Sequence, residues 1–427
     1  MKGGFWLTAY DVILPPAELM FRIGGLFSSK IKGSMKGRFQ GFDGWTLGEP
    51  DERPCILIHT ASRGEFEGAL PLIERLIAEN RYRVAVSFSS PSTVSAVKAV
   101  KGLWGYGYVA FDYLRDQLQF LQRIDPSAIL IFKHDFWPNT LRAADVLNIP
   151  VLLVNANFHP NSKRFLPIVS SFNRRVIRSL RAIWTVSQGD MDRVEPIVDR
   201  HTDLRVMGDT RYDRVSQRAK EGKDKFGLLK SALGAGPVIV LGSSWQPDEK
   251  ICYNAFSAIR KEHPSAKMII VPHEPGEDAL QRNRELAKHY GFSTLLYSDW
   301  VTEGKIINED VLLLDQMGLL AGLYSVGWCA HVGGVFGVGV HSVIEPAAHG
   351  IPVTFGPNHY VSHEATLLLE AKGGYAVRTA NDIEKLWRLW LDDTSAYQAT
   401  ATAADQVVKS REGATNRLLE WLNGILN

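Results

Sequence analysis

Carboxylates, imidazoles and glycines placed just after buried strands are the residues of this chain best positioned for chemistry, because ligands of doubly wound sheets sit at the carboxyl ends of strands. The first such end reads HTASRGEFEGALP. Its Ser62-Arg63-Gly64-Glu65 has the S-x-x-E spacing of a capping box, so Glu65 can tie down a helix end. The same turn aims backbone N–H groups and a carboxylate at a ligand, which suits a general base. Both readings of Glu65 stay open. A second end, LGSSWQPDEK, offers Ser243 and Ser244 before a helix start, where free N–H groups and the helix dipole attract anions. Asp248 and Glu249 in its first turn partly compete with that role. VPHEPGED puts Pro272, His273 and Glu274 at a third end, and no second His stands at metal-ligand spacing.

The stretch HVGGVFGVGVHSVIEPAAHG has Gly333 and Gly334 after a strand and Gly337 and Gly339 before a helix. It is not a dinucleotide fingerprint, which needs the first strand of a βαβ unit and an acid about 20 residues downstream. Its glycines still permit a ligand to approach the backbone closely. Ser342 and Glu345 repeat the S-x-x-E spacing, so Glu345 is either a helix cap or a ligand-facing carboxylate.

These turns need elements to position them, and two blocks of alternating strands and helices supply them. CILIHT, YRVAVSFSS, YGYVAFD, SAILIFK and PVLLVNAN read as strands of the first block. Between the first two lies EFEGALPLIERLIAEN, with Phe66, Leu70, Ile73, Leu76 and Ile77 at helical spacing. PVIVLGSS, AKMIIVPH, VLLLD, WCAHVGG and PVTFG open the strand–helix units of the second. Short apolar strands separated by helices imply βαβ units and parallel sheets. The expected class is α/β, two Rossmann-like doubly wound domains facing a central cleft. The expected division is a membrane-associated segment 1–40, an acceptor-binding domain 41–210, a polar linker 211–235, a nucleotide-sugar domain 236–400 and a C-terminal helix 401–427.

At 427 residues, with 45% hydrophobic and 22% charged residues, the chain is globular and long enough for two domains. A net charge of +2, from 48 basic and 46 acidic residues, argues against a dedicated nucleic-acid binder. Cys55, Cys252 and Cys329 stand singly in apolar runs and read as buried, reduced thiols of a cytoplasmic protein. Phe5–Phe27 is long and apolar, but Asp11, Glu18, Arg22 and Pro15-Pro16 interrupt it, so it is not expected to span a bilayer. Lys30, Lys32, Lys36 and Arg38 follow it. An apolar segment followed by a basic cluster fits a helix lying on anionic lipid, or one packed on its own domain. Lys163, Arg164, Arg174, Arg175 and Arg178 form further basic clusters, either solvated or phosphate-binding.

Taken in order, these turns resemble the bacterial Kdo transferases, which add 3-deoxy-D-manno-octulosonic acid to a lipid A precursor. The likeness runs through SRGEFEGALPLIE, FWPN, VNANF, SKRF, QGDMDR, GDTRYD, GSSWQPDE, IIVPHEP, DQMGLLAGLYSV, HVGG and IEPAAHGIPVTFGP. It implies a GT-B fold and an inverting, metal-independent transfer from CMP-Kdo, with no cofactor, at the cytoplasmic face of the inner membrane. It places Glu65 as general base. On the donor side it puts Ser243, Ser244, Pro272, His273, Met317, Gly318, Gly333, Gly334 and Glu345. The acceptor side would take Arg63, Lys133, Asp135, Lys163 and Arg164. The implied partners are CMP-Kdo, the lipid A precursor and the membrane surface. Three departures stand out: Lys133-His134-Asp135 where many members carry E-T-E, His273-Glu274-Pro275 in the P-R-H-P turn, and Ser342 in place of the Asn of G-G-H-N-x-x-E. A sugar-nucleotide epimerase of the same architecture and a non-catalytic sugar-nucleotide binder are the alternatives, and dependence on a lipid acceptor separates them.

Overall fold

The computed structural model describes residues 5–39, 41–158, 167–334, 341–360 and 362–426. The chain forms two compact units, Met1–Arg214 with Gly413–Asn427, and Val215–Glu412. In the first, the described residues form an eight-stranded sheet. Its strands are β1 (Thr46–Leu47), β2 (Cys55–Thr60), β3 (Arg83–Phe88), β4 (Gly105–Tyr108), β5 (Pro126–Phe132), β6 (Val151–Ala156), β7 (Ala182–Thr185) and β8 (Asp203–Val206). They lie in the order β1-β4-β3-β2-β5-β6-β7-β8. Only β1 runs antiparallel to its neighbour, β4. Strand order reverses between β2 and β5, so their carboxyl ends frame the crevice where such sheets bind ligands.

The central strands are apolar along their whole length because both faces are covered. Ile56, Ile58, Val84, Val86 and Leu130 pack on one side. Leu57, Ala85, Ile129 and Ile131 pack on the other. The helix after β2, α3 (Arg63–Glu79), starts at Ser62 with φ −141° and stops at Asn80 in the left-handed region. Its buried Phe66, Leu70, Ile73 and Leu76 recur at the period that turns one helix face to the sheet.

Two helices precede the sheet, α1 (Phe5–Gly24) and α2 (Ser29–Phe39). A Cβ on Gly37 would lie 2.3 Å from the Tyr108 ring, and one on Gly33 3.0 Å from Pro91, so glycines four apart let α2 lie against this unit. One edge of α1 is held by polar contacts. Asp11 accepts from Asn139 Nδ2 at 2.7 Å and from Arg142 Nη1 at 2.9 Å, and Tyr10 Oη donates to Asp112 at 2.9 Å. The rest of α1 exposes Val12, Ile13, Leu19, Met20, Phe21 and Ile23. Thus the helix both packs on its own unit and presents an apolar face. No helix of the described residues is long and apolar enough to cross a membrane.

Asp112 holds this assembly together. Besides Tyr10, it accepts from the Asn139 and Thr140 backbone N–H groups and from Thr140 Oγ1, at 2.8–2.9 Å. Burial pushes its pKa up to about 6 against these donors. With the folded value above the unfolded one, ionisation of this group alone costs stability as pH rises from about 4 to about 6. Asp112→Asn turns an N–H2 toward groups that need an acceptor. We expect a loss of about 2–3 kcal/mol at neutral pH, read from a lower denaturant midpoint at unchanged slope.

The second unit is a seven-stranded parallel sheet among its described residues. It comprises β9 (Val238–Ser244), β10 (Lys267–Pro272), β11 (Thr294–Leu296), β12 (Val311–Leu313), β13 (Cys329–Val332), β14 (Val353–Phe355) and β15 (Gly374–Ala376). Their order is β11-β12-β10-β9-β13-β14-β15. Here the reversal falls between β9 and β13, which puts Ser243–Ser244 beside Gly333–Gly334.

The stretch 211–235, read from sequence as a polar linker, is helical over Thr210–Lys225 and Gly227–Leu233. Helix Thr394–Lys409 belongs to the second unit, whereas Ala414–Leu426 returns to the first and buries Leu418, Leu419 and Leu422 in its core. Asp213 fixes that return: its carboxylate accepts from the N–H groups of Gly413 and Thr415 at 2.6 and 2.7 Å, a favourable charge for a helix start. All three cysteines are buried and unpaired, and burial pushes the Cys55 thiol up to about 12.

Candidate active site

The first constellation is built at the ends of β2 and β5. Ser62 Oγ accepts from the Glu65 N–H at 3.4 Å, a long and weak cap, while Glu65 Oε2 accepts from the Ala61 N–H at 2.6 Å. Glu65 therefore reaches back one residue beyond the cap position. One carboxylate oxygen is thereby engaged by the backbone. Burial raises the Glu65 pKa above its ordinary value, opposed by the Ala61 N–H and by the charge of Lys133.

Lys133, the residue after β5, has φ +61°, a conformation uncommon for a residue with a side chain. Two residues on, Asp135 collects donors: His59 Nε2 and Ser89 Oγ on Oδ2, both at 3.0 Å, and Trp137 Nε1 on Oδ1 at 3.1 Å. Burial raises Asp135, but the hydrogen bonds from His59 and Ser89 outweigh it and hold its pKa at about 2. The other nitrogen of His59, Nδ1, meets Ser87 Oγ at 2.9 Å, so the ring is fixed at both ends. A fixed carboxylate, a raised carboxylate and a lysine thus share one strand-end crevice. Arg63 is exposed, at 3.9 Å from Glu67. Lys163 and Arg164 lie outside the described residues.

Several motifs of this unit turn out to be clasps. Asn155 Nδ2 donates to Thr210 Oγ1 at 2.7 Å and to Asp209 Oδ1 at 3.2 Å, tying VNANF to GDTRYD. From QGDMDR, Asp190 accepts from the Phe158 N–H at 2.7 Å and Arg193 donates to the Phe158 carbonyl at 3.2 Å.

In the second unit, the expected donor residues divide. Ser244 is buried and its hydroxyl donates to Glu249 at 3.0 Å, which in turn receives two hydrogen bonds from Arg282, at 2.7 and 3.1 Å. Gly333 is closed off as well: a Cβ there would lie 2.6 Å from the Ser243 carbonyl oxygen and 2.8 Å from Asp248 Oδ2. Sequence suggested ligand approach at this glycine, and the structure assigns it to packing. Ser243 (φ +50°), Gly318 (φ +82°) and Gly334 (φ +98°) hold the left-handed turns, and Met317 is exposed.

The Ser342–Glu345 capping box does not form. The helix begins at Ile344 with Val343 as its cap and no side-chain hydrogen bond, and Glu345 lies 3.9 Å from Arg218. Gly337 and Gly339 are outside the described residues.

Sequence reasoning passed over two features here. Asp248 Oδ2 accepts from the N–H groups of Trp245 and Gly334, at 2.9 and 3.0 Å, so one buried carboxylate joins β9's helix to the glycine turn. The W-x-x-D spacing at Trp245–Asp248 was a legible cap signal. Beside it, the His273 ring stacks with those of Trp245 and His341, at centroid distances of 4.9 and 4.4 Å, and Trp245 Nε1 donates to His341 Nε2 at 3.3 Å. Burial, and then the neighbouring His273 ring, lower the His341 pKa. That stack joins positions far apart in the chain and leaves no local signature.

Comparison with known proteins is consistent with these landmarks. Residues 34–214 match the model of the family described as 3-deoxy-D-manno-octulosonic-acid transferase (kdotransferase). The 3-deoxy-D-manno-octulosonic acid transferase of Aquifex aeolicus is 27% identical over 77% of this chain and 84% of its own length. The enzyme of the same name from Haemophilus influenzae is 24% identical over 99% of this chain and 98% of its own. Along its length the chain is thus similar to the Kdo transferases, at the low identity of a divergent sequence. Among solved structures, the UDP-GlcNAc 2-epimerase of Neisseria meningitidis superposes with a TM-score of 0.60 at 14% identity, over 87% of this chain and all of that one. Acinetobacter baumannii MurG superposes with a TM-score of 0.52 at 13% identity, over 87% of this chain and 99% of that one. Those likenesses establish the GT-B-like fold alone. The likeness in sequence is to the Kdo transferases, whereas the epimerases share only the shape.

Proposed function

We propose that the protein transfers Kdo from CMP-Kdo to a lipid A precursor, with inversion, at the cytoplasmic face of the inner membrane, and that Glu65 is the base. The observation that carries this reading is the Glu65 carboxylate at the carboxyl end of β2, anchored by the Ala61 N–H at 2.6 Å and raised in pKa by burial. As the acceptor hydroxyl oxygen bonds to the Kdo anomeric carbon, its proton passes to Glu65. The bond from that carbon to the CMP phosphate breaks, and the electron pair leaves with the phosphate. Lys133, placed where it lowers the Glu65 pKa, gives the crevice a cation for an acidic substrate. Asp135, held ionised at a pKa of about 2, can accept a hydrogen bond from an acceptor hydroxyl.

Residues 41–210 supply the acceptor side and residues 236–400 the donor side in this reading. Pro272, His273, Ser243, Met317, Gly318, Gly334 and Glu345 are the donor residues kept. Ser244 and Gly333 act behind them, through Glu249 and Asp248. Incubation with CMP-Kdo and tetra-acylated lipid A precursor, read by mass spectrometry, should add the mass of one or more Kdo units. An unchanged acceptor mass would sink the proposal.

The apolar face of α1, with Lys32 exposed on α2, is the membrane contact in this reading. Removing residues 1–38 is expected to move the protein from the vesicle pellet to the supernatant in a sedimentation assay. A truncated protein that still pellets would contradict it.

A further inference from the structure

Between α1, α2 and the ends of the first sheet lies a pocket of about 370 Å³. Its walls are apolar, with Ile13, Leu14, Phe21, Ile31, Met35 and Phe111. Two of these, Ile13 and Phe21, are also 61% and 57% exposed, so they stand at a mouth that opens on the apolar face of α1. The lining also includes the polar Arg38, Ser89 and Asp135, and it reaches Ala61. Ala61 is the residue whose N–H holds Glu65, and Asp135 is the carboxylate held by His59. The pocket therefore runs from the apolar face to the crevice of the proposed base, wholly within the first unit.

The polar part of the lining does not suit an anion. Arg38 donates from Nη2 to Ser89 Oγ at 3.3 Å and faces the charges of both Asp135 and Asp112. A guanidinium balanced by two carboxyl groups has no charge left for a phosphate. It does have an N–H to give: Arg38 Nε is buried with no hydrogen-bond partner among the described residues. A carbonyl or hydroxyl oxygen is the chemistry that satisfies such a donor. Apolar walls and one unmet donor together describe an acyl chain joined through an ester or amide.

We infer that this pocket takes one acyl chain of the lipid acceptor, drawn in from the bilayer past Ile13 and Phe21, with the chain's carbonyl or hydroxyl oxygen at Arg38. The inference rests on the reading that the acceptor is a lipid, and deepens it by giving the tail a seat beside the base. The volume, about 370 Å³, limits the length of tail that the pocket can hold. Holding the tail would set the depth of the sugar hydroxyl relative to Glu65, so chain length becomes a specificity determinant of transfer.

The test uses the full chain on phosphatidylcholine vesicles containing an N-acyl glucosamine with a photoreactive diazirine in its chain. Labelled peptides are mapped by mass spectrometry. Expected labels fall on Ile31, Met35 and Phe111, inside the pocket, and unlabelled chains compete. Potency should rise about fourfold per added methylene until the pocket is full and then level off. Ala17→Phe, which fills the pocket from α1, should abolish the Met35 label. Val12→Phe, on the exposed face, should leave it unchanged. Labels confined to Val12, Met20 and Leu26, or potency that climbs with length without a break, would show bilayer contact only and overturn the pocket. Labelling needs no turnover. A protein that labels at Met35 but transfers no Kdo overturns the proposed activity and leaves the pocket standing, and transfer without pocket labelling does the reverse.

Discussion

Glu65→Gln is expected to lower Kdo transfer by about two to four orders of magnitude while leaving the fold intact, the range that general-base catalysis contributes. The amide variant is the informative one because Glu65 has two jobs. Its Oε2 accepts from the Ala61 N–H at 2.6 Å, and a glutamine oxygen can still do so. What glutamine cannot do is accept the hydroxyl proton. Glu65→Ala removes both functions and should in addition lose about 1 kcal/mol of stability, the usual worth of a helix cap. Ser62→Ala isolates the cap: it loses only the 3.4 Å bond to the Glu65 N–H and should keep transfer near the wild-type rate. The pH profile offers a second readout. A base must be ionised to work, and burial raises the Glu65 pKa above the ordinary carboxylate value. Transfer should therefore fall on the acid side at a pH higher than a solvent-exposed carboxylate would give. A Glu65→Gln protein that transfers at the wild-type rate would remove Glu65 from the chemistry.

That the sequence pointed to this residue at all has a physical reason. A strand buried on both faces must be apolar throughout, so CILIHT announced itself, and the residues after it had to stand at a carboxyl end. The alternation of such runs with amphipathic helices fixed the fold class without knowledge of strand order. Strand order itself was not legible, because it depends on which buried strands pair, and nothing local encodes that. Consequently the partnership of Glu65 with Lys133 and Asp135 appears only in the structure, where β2 and β5 flank the reversal in strand order. The same limit explains His59, whose place in an apolar strand gave no hint of Ser87 and Asp135 at its two ring nitrogens.

The S-x-x-E spacing shows how far a local motif carries. At Ser62–Glu65 the helix starts where the motif requires, and the cap forms with the carboxylate displaced by one residue. At Ser342–Glu345 the spacing is identical, yet the helix starts later, at Ile344, and Glu345 is left near Arg218. The difference lies in where the chain leaves its strand, which the four residues do not specify. Basic clusters were similarly ambiguous. Arg38 read as one charge among several on a helix, and burial in the lining of an apolar pocket gives it a distinct environment.

Gly333→Ala is expected to have the largest effect in the second unit, through backbone geometry. The added Cβ would meet the Ser243 carbonyl oxygen at 2.6 Å, and Asp248 Oδ2 and Ser244 Cα at 2.8 Å. Two of those atoms belong to the backbone at the end of β9, where Ser243 already has φ +50°, so they cannot swing aside as a flexible side chain would. The glycine turn must instead move off the strand. That strains the bonds from the Gly333 N–H to the Gly242 carbonyl at 2.9 Å and from the Gly334 N–H to Asp248 at 3.0 Å. Overpacking of this kind costs about 1–3 kcal/mol. If the turn also carries the donor, as proposed, CMP affinity should fall by at least about tenfold, equivalent to about 1.4 kcal/mol in binding. Gly304→Ala separates the two effects. Gly304 also has positive φ, at +64°, but has open space around it and lies at the end of helix Tyr297–Glu303. Its alanine variant should lose about 1 kcal/mol of stability through strain alone and bind CMP normally. Calorimetric titration of CMP into both variants decides the matter. Equal, undiminished affinity in the two would mean that Gly333 packs the strand end without shaping a donor site.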